Sequence, residues 1–400
     1  MIAIRSLQRA DLEAYGELCR YCFDMPPEYV PFYTSWVSHH LAHTWGAFEQ
    51  NRLCTGLWYY PYEMRVGEGF VPMGGVAAVA TAPECRNSGM ARMLMTHVHR
   101  QMRAEGRPLA ALMPFKHGFY GSMGYADVFF MNDCIIPPEQ IARRDVGTLR
   151  VRLVDGEREW RTLEDLHQAY GSRYFGTVRR NALYWRIRYL TIHREIKRVY
   201  LIERGRTPAG FVITNLGRDE TTGKMRLTVA QAVWNGSDVL DAILQLLRSH
   251  RDQVHTVVWR LPTDVRLFDR MTDPRITVAL KPKKMLKLVD FKGALEQRMY
   301  RRDLDALLSV ELTSDVTSPW NGGRWRVEWR DGYARVRKAR PTDRLPDTLR
   351  ADIRTMAILY SGLQTAGELI ADGAITVKGD AQTYLDSAFP RAIPYIDDWF

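Results

Sequence analysis

The chain has 400 residues, 46% of them hydrophobic and 26% charged, with a formal net charge of +10. That length exceeds one ordinary core and predicts several domains, and the composition is that of a globular chain, not a fibrous or disordered one. No apolar run approaches the ~20 residues of a membrane helix, and the basic residues are dispersed along the whole chain, so neither a membrane nor a nucleic acid is expected as the main partner.

Met1-Ile2-Ala3-Ile4-Arg5 leads into a polar helix and has no signal-peptide pattern. Ile2 to Arg5 reads as an edge strand, and Asp11 to Cys22 as a helix with Leu12, Tyr15, Leu18, Cys19 and Cys22 on one face. The five cysteines, at 19, 22, 54, 85 and 134, are odd in number and irregularly spaced. Reduced thiols in a cytoplasm are expected, and Cys19-x-x-Cys22 reads as core filling because no second pair accompanies it. The aromatic stretch Tyr29 to Trp45 reads, from its residues, as a helical hairpin packing Phe32, Trp36 and Leu41 inward. Strands are predicted at Leu53 to Tyr59 and at Glu63 to Phe70.

The chain is organised around Gly75 to Tyr125. Gly75 to Pro83 is a small, β-branched apolar run that reads as a buried strand. A basic turn, Arg86-Asn87-Ser88-Gly89-Met90-Ala91-Arg92, opens a helix with Met93, Leu94, Val98 and Met102 at helical spacing. A turn on a helix N-terminus is an anion site, since the first N–H groups lack partners and the helix dipole favours negative charge. An ordinary strand-to-helix connection is the alternative. A second apolar run, Pro108 to Pro114, follows, and then Gly118-Phe119-Tyr120-Gly121-Ser122-Met123-Gly124-Tyr125. His97, His99 and His117 do not predict a metal, because 97 and 99 do not share a helical face.

Beyond Pro137-Pro138 a similar order recurs. A strand at Leu149 to Val154 and a helix at Trp160 to Tyr170 precede strands at Arg198 to Glu203, Gly210 to Leu216 and Arg226 to Ala232 and a helix from Ser237 to His250. No Arg-x-x-Gly-x-Ala turn occurs in this repeat. Arg179 to Arg186 inside it reads as a packing helix with solvated arginines. The last part begins near Met285, with a helix predicted near Asp303 to Val310. The hairpin Gly323 to Val336 follows, its Asp331-Gly332 turn joining two alternating strands. Helices are predicted around Asp347 to Tyr360, Thr365 to Asp372 and Ala381 to Phe389.

The strand, the Arg-x-x-Gly-x-Ala turn, the helix, the second strand and the Phe-Tyr-x-x-x-Gly-Tyr segment resemble the GNAT acetyltransferases. With a second GNAT-like part, a sterol-carrier-like part and an aromatic last residue, the whole chain resembles the Eis family of amine N-acetyltransferases. The resemblance implies an α+β chain divided at 1–140, 141–285 and 286–400. Acetyl-CoA is the implied cosubstrate, bound by Val79, Ala80, Thr81 and the turn Arg86, Asn87, Ser88, Gly89, Met90, Ala91 and Arg92, with no metal. It implies transfer to a primary amine (an aminoglycoside, a polyamine or a lysine side chain), Tyr120 as acid, the Phe400 carboxylate as base, and a cytoplasmic homohexamer. Asp24, Glu28 and Trp36 are the candidates for binding the acceptor. Asn87-Ser88 is less basic than the family's usual turn. A lipid or sterol carrier with a vestigial acetyltransferase half is the alternative function.

Overall fold

The computed structural model describes residues 2–191, 197–345 and 347–400. In chain order the elements are β1 (Ile2–Ser6), α1 (Leu12–Phe23), α2 (Val30–Ser38), β2 (Thr44–Glu49), β3 (Arg52–Val66), β4 (Gly69–Thr81), α3 (Met90–Ala104), β5 (Leu109–Leu112), α4 (His117–Gly121) and β6 (Ala126–Ile136). Then follow β7 (Leu149–Val154), α5 (Trp160–Gly171), α6 (Ala182–Tyr184), β8 (Lys197–Arg204), β9 (Thr207–Arg218), β10 (Met225–Trp234), α7 (Ser237–Arg248), β11 (Thr256–Leu261) and β12 (Thr277–Leu288). The last are α8 (Phe291–Glu296), β13 (Ala306–Leu312), β14 (Gly323–Arg330), β15 (Tyr333–Lys338), β16 (Thr348–Ala351), α9 (Ile353–Ser361), α10 (Ala366–Ala371), β17 (Thr376–Lys378) and α11 (Ala381–Ala388).

By packing the chain forms two compact units, one of residues 1–129, 283–394 and 400, the other of 130–282 and 395–399. In the first, β1 to β4 form an antiparallel run, and β5 joins β4 in parallel only from Met73–Leu109 to Val76–Leu112. The end of β12 closes β5 from its other side. The amphipathic α3 buries Leu94, Met95, Val98 and Met102 against this sheet, in one core with Leu57, Tyr59, Val76 and Leu112. Gly74 admits that packing, since a Cβ there would stand 2.4 Å from the Met102 methyl. The C-terminal part adds a sheet ordered β15-β14-β13-β16-β17.

In the second unit β7 to β10 are antiparallel neighbours in sequence order, β11 joins β10 in parallel, and β6 joins β11. The two units thus share one plan, as the recurring element order predicts.

Three sequence expectations change. The strands at Leu53–Tyr59 and Glu63–Phe70 are one strand, β3, whose turn lies at Gly67, with φ +61°, inside the second expected segment. The helix near Asp303–Val310 is instead strand β13, because Leu308, Val310 and Leu312 point inward with period two and the strand has partners on both sides, β14 and β16. The helix expected from Asp347 starts only at Ile353, after β16, where the Asp352 carboxylate caps it through the Thr355 N–H.

Candidate active site

Strand β4 ends at Thr81, a 3-10 turn at Pro83–Cys85 follows, and the chain then passes Arg86 to Gly89 into α3. Arg86, Asn87, Ser88, Gly89 and Arg92 are exposed, Ala91 is half-buried and Met90 is buried. Asn87 and Gly89 lie in the left-handed region, at φ +60° and +81°. The glycine is required for this backbone shape and not for space within the chain, since a Cβ at position 89 would meet nothing within 4 Å. No side chain caps the first turn of α3, and that turn carries no acidic residue. The loop consumes its own polar side chains: Ser88 Oγ donates to the Cys85 carbonyl at 2.6 Å, and Arg86 Nε donates to the Thr81 carbonyl at 3.3 Å. What remains at the surface is a set of backbone N–H groups with arginines beside them, the arrangement an anion of phosphate type needs.

Beyond Val76 β4 has no pairing with β5, so the strands part along Ala77 to Thr81, where Val79 and Thr81 are half-exposed and Ala80 is buried. Toward the closed end of that opening lies Phe400. Its ring packs against Tyr62 on β3, with centroids 6.0 Å apart, and a Cβ on Gly75 would stand 2.9 Å from the ring. Gly74 and Gly75 therefore serve opposite faces of β4, one admitting α3 and the other Phe400. Tyr62 stacks on Tyr60 at 5.2 Å, and Tyr60 accepts the Trp36 indole N–H at 2.7 Å. His40 and Trp58 complete this aromatic group. Trp36 is buried in it, while Asp24 is an exposed left-handed cap of α1 and Glu28 is exposed. The structure gathers Trp36 toward the Phe400 side and leaves the two carboxylates at the surface.

Tyr120 sits in α4, 3% exposed, among the rings of Phe115, Phe119 and Tyr125 at 5.5, 5.1 and 6.0 Å. Burial pushes its phenol well above the usual value, so it stays protonated. The following turn is buttressed by the C-terminal part: Thr317 Oγ donates to the Met123 carbonyl at 2.8 Å, and Gly124, at φ +88°, leaves room for Lys287. Lys287 is fully buried, paired with Asp315 at 2.6 Å, and desolvation lowers it to about 8. On the helix side, Arg92 donates to Ser122 Oγ at 3.4 Å. Among the described residues no group of three or more His, Cys, Asp or Glu is arranged to hold a metal ion. The cysteines are free thiols, four of them buried and Cys22 half-buried.

Within the second unit, Arg180 contradicts the solvated role expected from the basic segment. It is buried, donating to Asp398 at 2.6 Å and to Gln231 at 2.8 Å, while its backbone N–H donates to Glu164. The guanidinium thus pairs with the buried Asp398 of the tail, two residues before Phe400. Tyr184 Oη donates to the Trp399 carbonyl at 3.1 Å. Sequence reasoning also missed Tyr62 and Gly75 as the seat of Phe400. The doubled glycine in an otherwise β-branched run was the signal available for it.

Comparisons with known proteins match the chain domain by domain. Residues 3–128 and 176–288 each match an acetyltransferase (GNAT) domain, and residues 291–397 match a sterol carrier protein domain. The chain is a GNAT acetyltransferase, built from two GNAT domains and a sterol carrier protein domain. It is similar to N-acetyltransferase Eis of Mycobacterium tuberculosis, at 24% identity over 82% of this chain and 80% of that one. An uncharacterized N-acetyltransferase of Streptomyces avermitilis is 27% identical over 84% and 83%. Among solved structures, a GCN5-related N-acetyltransferase from Anabaena variabilis shares the fold at a TM-score of 0.89 with 23% identity, and Eis1 from Mycobacterium abscessus at 0.78 with 22%, each covering the whole of both chains. Beyond the GNAT domains themselves, the similarity to the Eis enzyme extends over most of both chains.

Proposed function

We propose that this enzyme moves the acetyl group of acetyl-CoA to a primary amine, with the Arg86–Arg92 turn holding the diphosphate, β4 from Val79 to Thr81 holding the pantetheine arm, Tyr120 facing the sulfur and the Phe400 carboxylate receiving the amine proton. The observation that carries this reading is the seating of Phe400 on β4 at Gly75, at the end of the same opening that starts at the uncapped N-terminus of α3. Acetyl-CoA supplies an activated acyl carbon. The amine nitrogen bonds to that carbon, the carbon–sulfur bond breaks, one proton leaves the nitrogen and one arrives at the sulfur.

A free carboxylate near pKa 3.5 would remove a proton from an ammonium near 10.4 against about 7 units, or about 9 kcal/mol. The acceptor therefore attacks as its neutral amine, its first proton lost to solvent, and the carboxylate takes the second proton after attack, when that nitrogen is far more acidic. A phenol at about 10 giving its proton to a thiolate near 8.5 already costs about 2 kcal/mol, and burial of Tyr120 raises that cost. This favours Tyr120 as a neutral hydrogen-bond donor to the sulfur over an early proton donor. The aromatic group around Trp36, with Asp24 and Glu28 further out, is the proposed approach for an aminoglycoside, polyamine or lysine amine. A homohexamer belongs to the same proposal and is read by light scattering.

The test is a short extension beyond Phe400, assayed for thiol release from acetyl-CoA against polyamines, aminoglycosides and lysine peptides. Turnover is expected to vanish while acetyl-CoA affinity stays within about twofold; undiminished turnover rules the carboxylate out as base.

A further inference from the structure

Strand β4 is not evenly extended where it opens. Gly56 stands opposite Ala80 and Trp58 opposite Ala77, so Ala78 and Val79 together face Leu57. This is a β-bulge, and Ala78 in it has φ +47°. An alanine in the left-handed region is disfavoured by contact between its Cβ and the carbonyl, and it persists only where neighbours over-determine it.

The neighbour is Tyr15 of α1. Its hydroxyl donates to the Ala78 carbonyl at 2.8 Å, and the residue is 1% exposed. Its ring lies on β3 at Gly56, where any Cβ would stand 2.5 Å from a ring carbon. Burial pushes the phenol well above its ordinary value, which keeps the donor protonated. The bulge of the second unit, at Ala230, has no positive φ, and no tyrosine hydroxyl is described on its carbonyl.

We propose that Tyr15 is a positioning residue for acyl transfer: by holding the Ala78 carbonyl it fixes the bulge, and the bulge aims the β4 amides beyond it at the thioester carbonyl. Tyr15 touches neither substrate nor cofactor. The inference rests on acetyl-CoA lying along β4.

Tyr15→Phe keeps the ring and removes the bond. Calorimetry on the full chain is expected to show acetyl-CoA affinity falling about tenfold, CoA affinity changing less than about twofold, and the melting temperature nearly constant. Adding Ala78→Gly, which reaches the left-handed shape without strain, should return acetyl-CoA affinity to within about threefold of wild type. An unchanged ratio of the two affinities in Tyr15→Phe overturns the proposal, as does an equal loss of both or a failure of Ala78→Gly to rescue. A wild-type protein that binds both ligands yet acetylates no amine removes the acceptor chemistry and leaves this ratio as the judge. One that binds neither ends both.

Discussion

The two GNAT units answer the same topological opening in opposite ways. In the first, β4 leaves β5 after Val76, and the loop that follows reaches α3 with no cap and no acid in its first turn. In the second, the pairing of β10 with β11 stops at Val229–Trp259 and a bulge follows, so the strands part there too. But β10 reaches α7 through Asn235 and Gly236 alone, and Asp238 in the first turn of α7 holds Arg204 at 2.7 Å. At that bulge Gln231 takes Arg180, which takes Asp398, so the chain fills the opening with its own side chains and tail. A shared plan thus opens both sheets at the same place, and the connections that follow differ in length and in the charge at the helix start.

The comparison breaks most visibly at Arg180. Arg180→Met leaves the Asp398 carboxylate buried without its partner, so chemical denaturation should show a loss of about 3–5 kcal/mol. A loss below about 1 kcal/mol would mean that the filled opening is not held by charge. Next in size, Gly89→Val places a β-branched residue at φ +81° and should weaken CoA binding about 100-fold, about 2.7 kcal/mol, by calorimetry. The matching Gly236→Val should leave CoA affinity within about twofold, whatever it does to stability.

A smaller effect sharpens the aromatic side of the first opening. Burial, helped by the charges of His43 and His39, lowers His40 from 6.5 to about 4. Its folded pKa lies below the unfolded one, so the unfolded chain binds more protons between about 4 and 6.5. This contribution is complete above pH 6.5 and is lost as the pH falls toward 4, by about 2 kcal/mol after discounting for the partly exposed ring. Melting curves against pH should show a shallower acid decline in His40→Phe, and identical slopes would remove His40 from the account. Tyr120→Phe should lower kcat by more than about tenfold, about 1.4 kcal/mol, with acetyl-CoA affinity retained; a smaller loss reduces Tyr120 to packing. Last, Arg204→Ala, an exposed pair, should cost under about 1 kcal/mol.

Much of the first unit's frame was legible because its signals are local. The apolar run of β4, the glycine before α3 and the Asp331-Gly332 turn each act within a few residues. What escaped depends on distant partners. β13 looked helical until β14 and β16 supplied its neighbours, and Arg180 looked solvated because its partner Asp398 lies 218 residues away. The left-handed shape of Ala78 has no signature in its own sequence, since an alanine gives no warning of positive φ and Tyr15 is 63 residues distant. The seat of Phe400 was half visible, through Gly74-Gly75, though only the fold brings Tyr62 to it.

Calorimetric titration of the full chain with acetyl-CoA tests the central contrast most directly. One site per chain, lost in Gly89→Val and kept in Gly236→Val, is the expected result. Two sites per chain, or a single site that survives Gly89→Val, would contradict it.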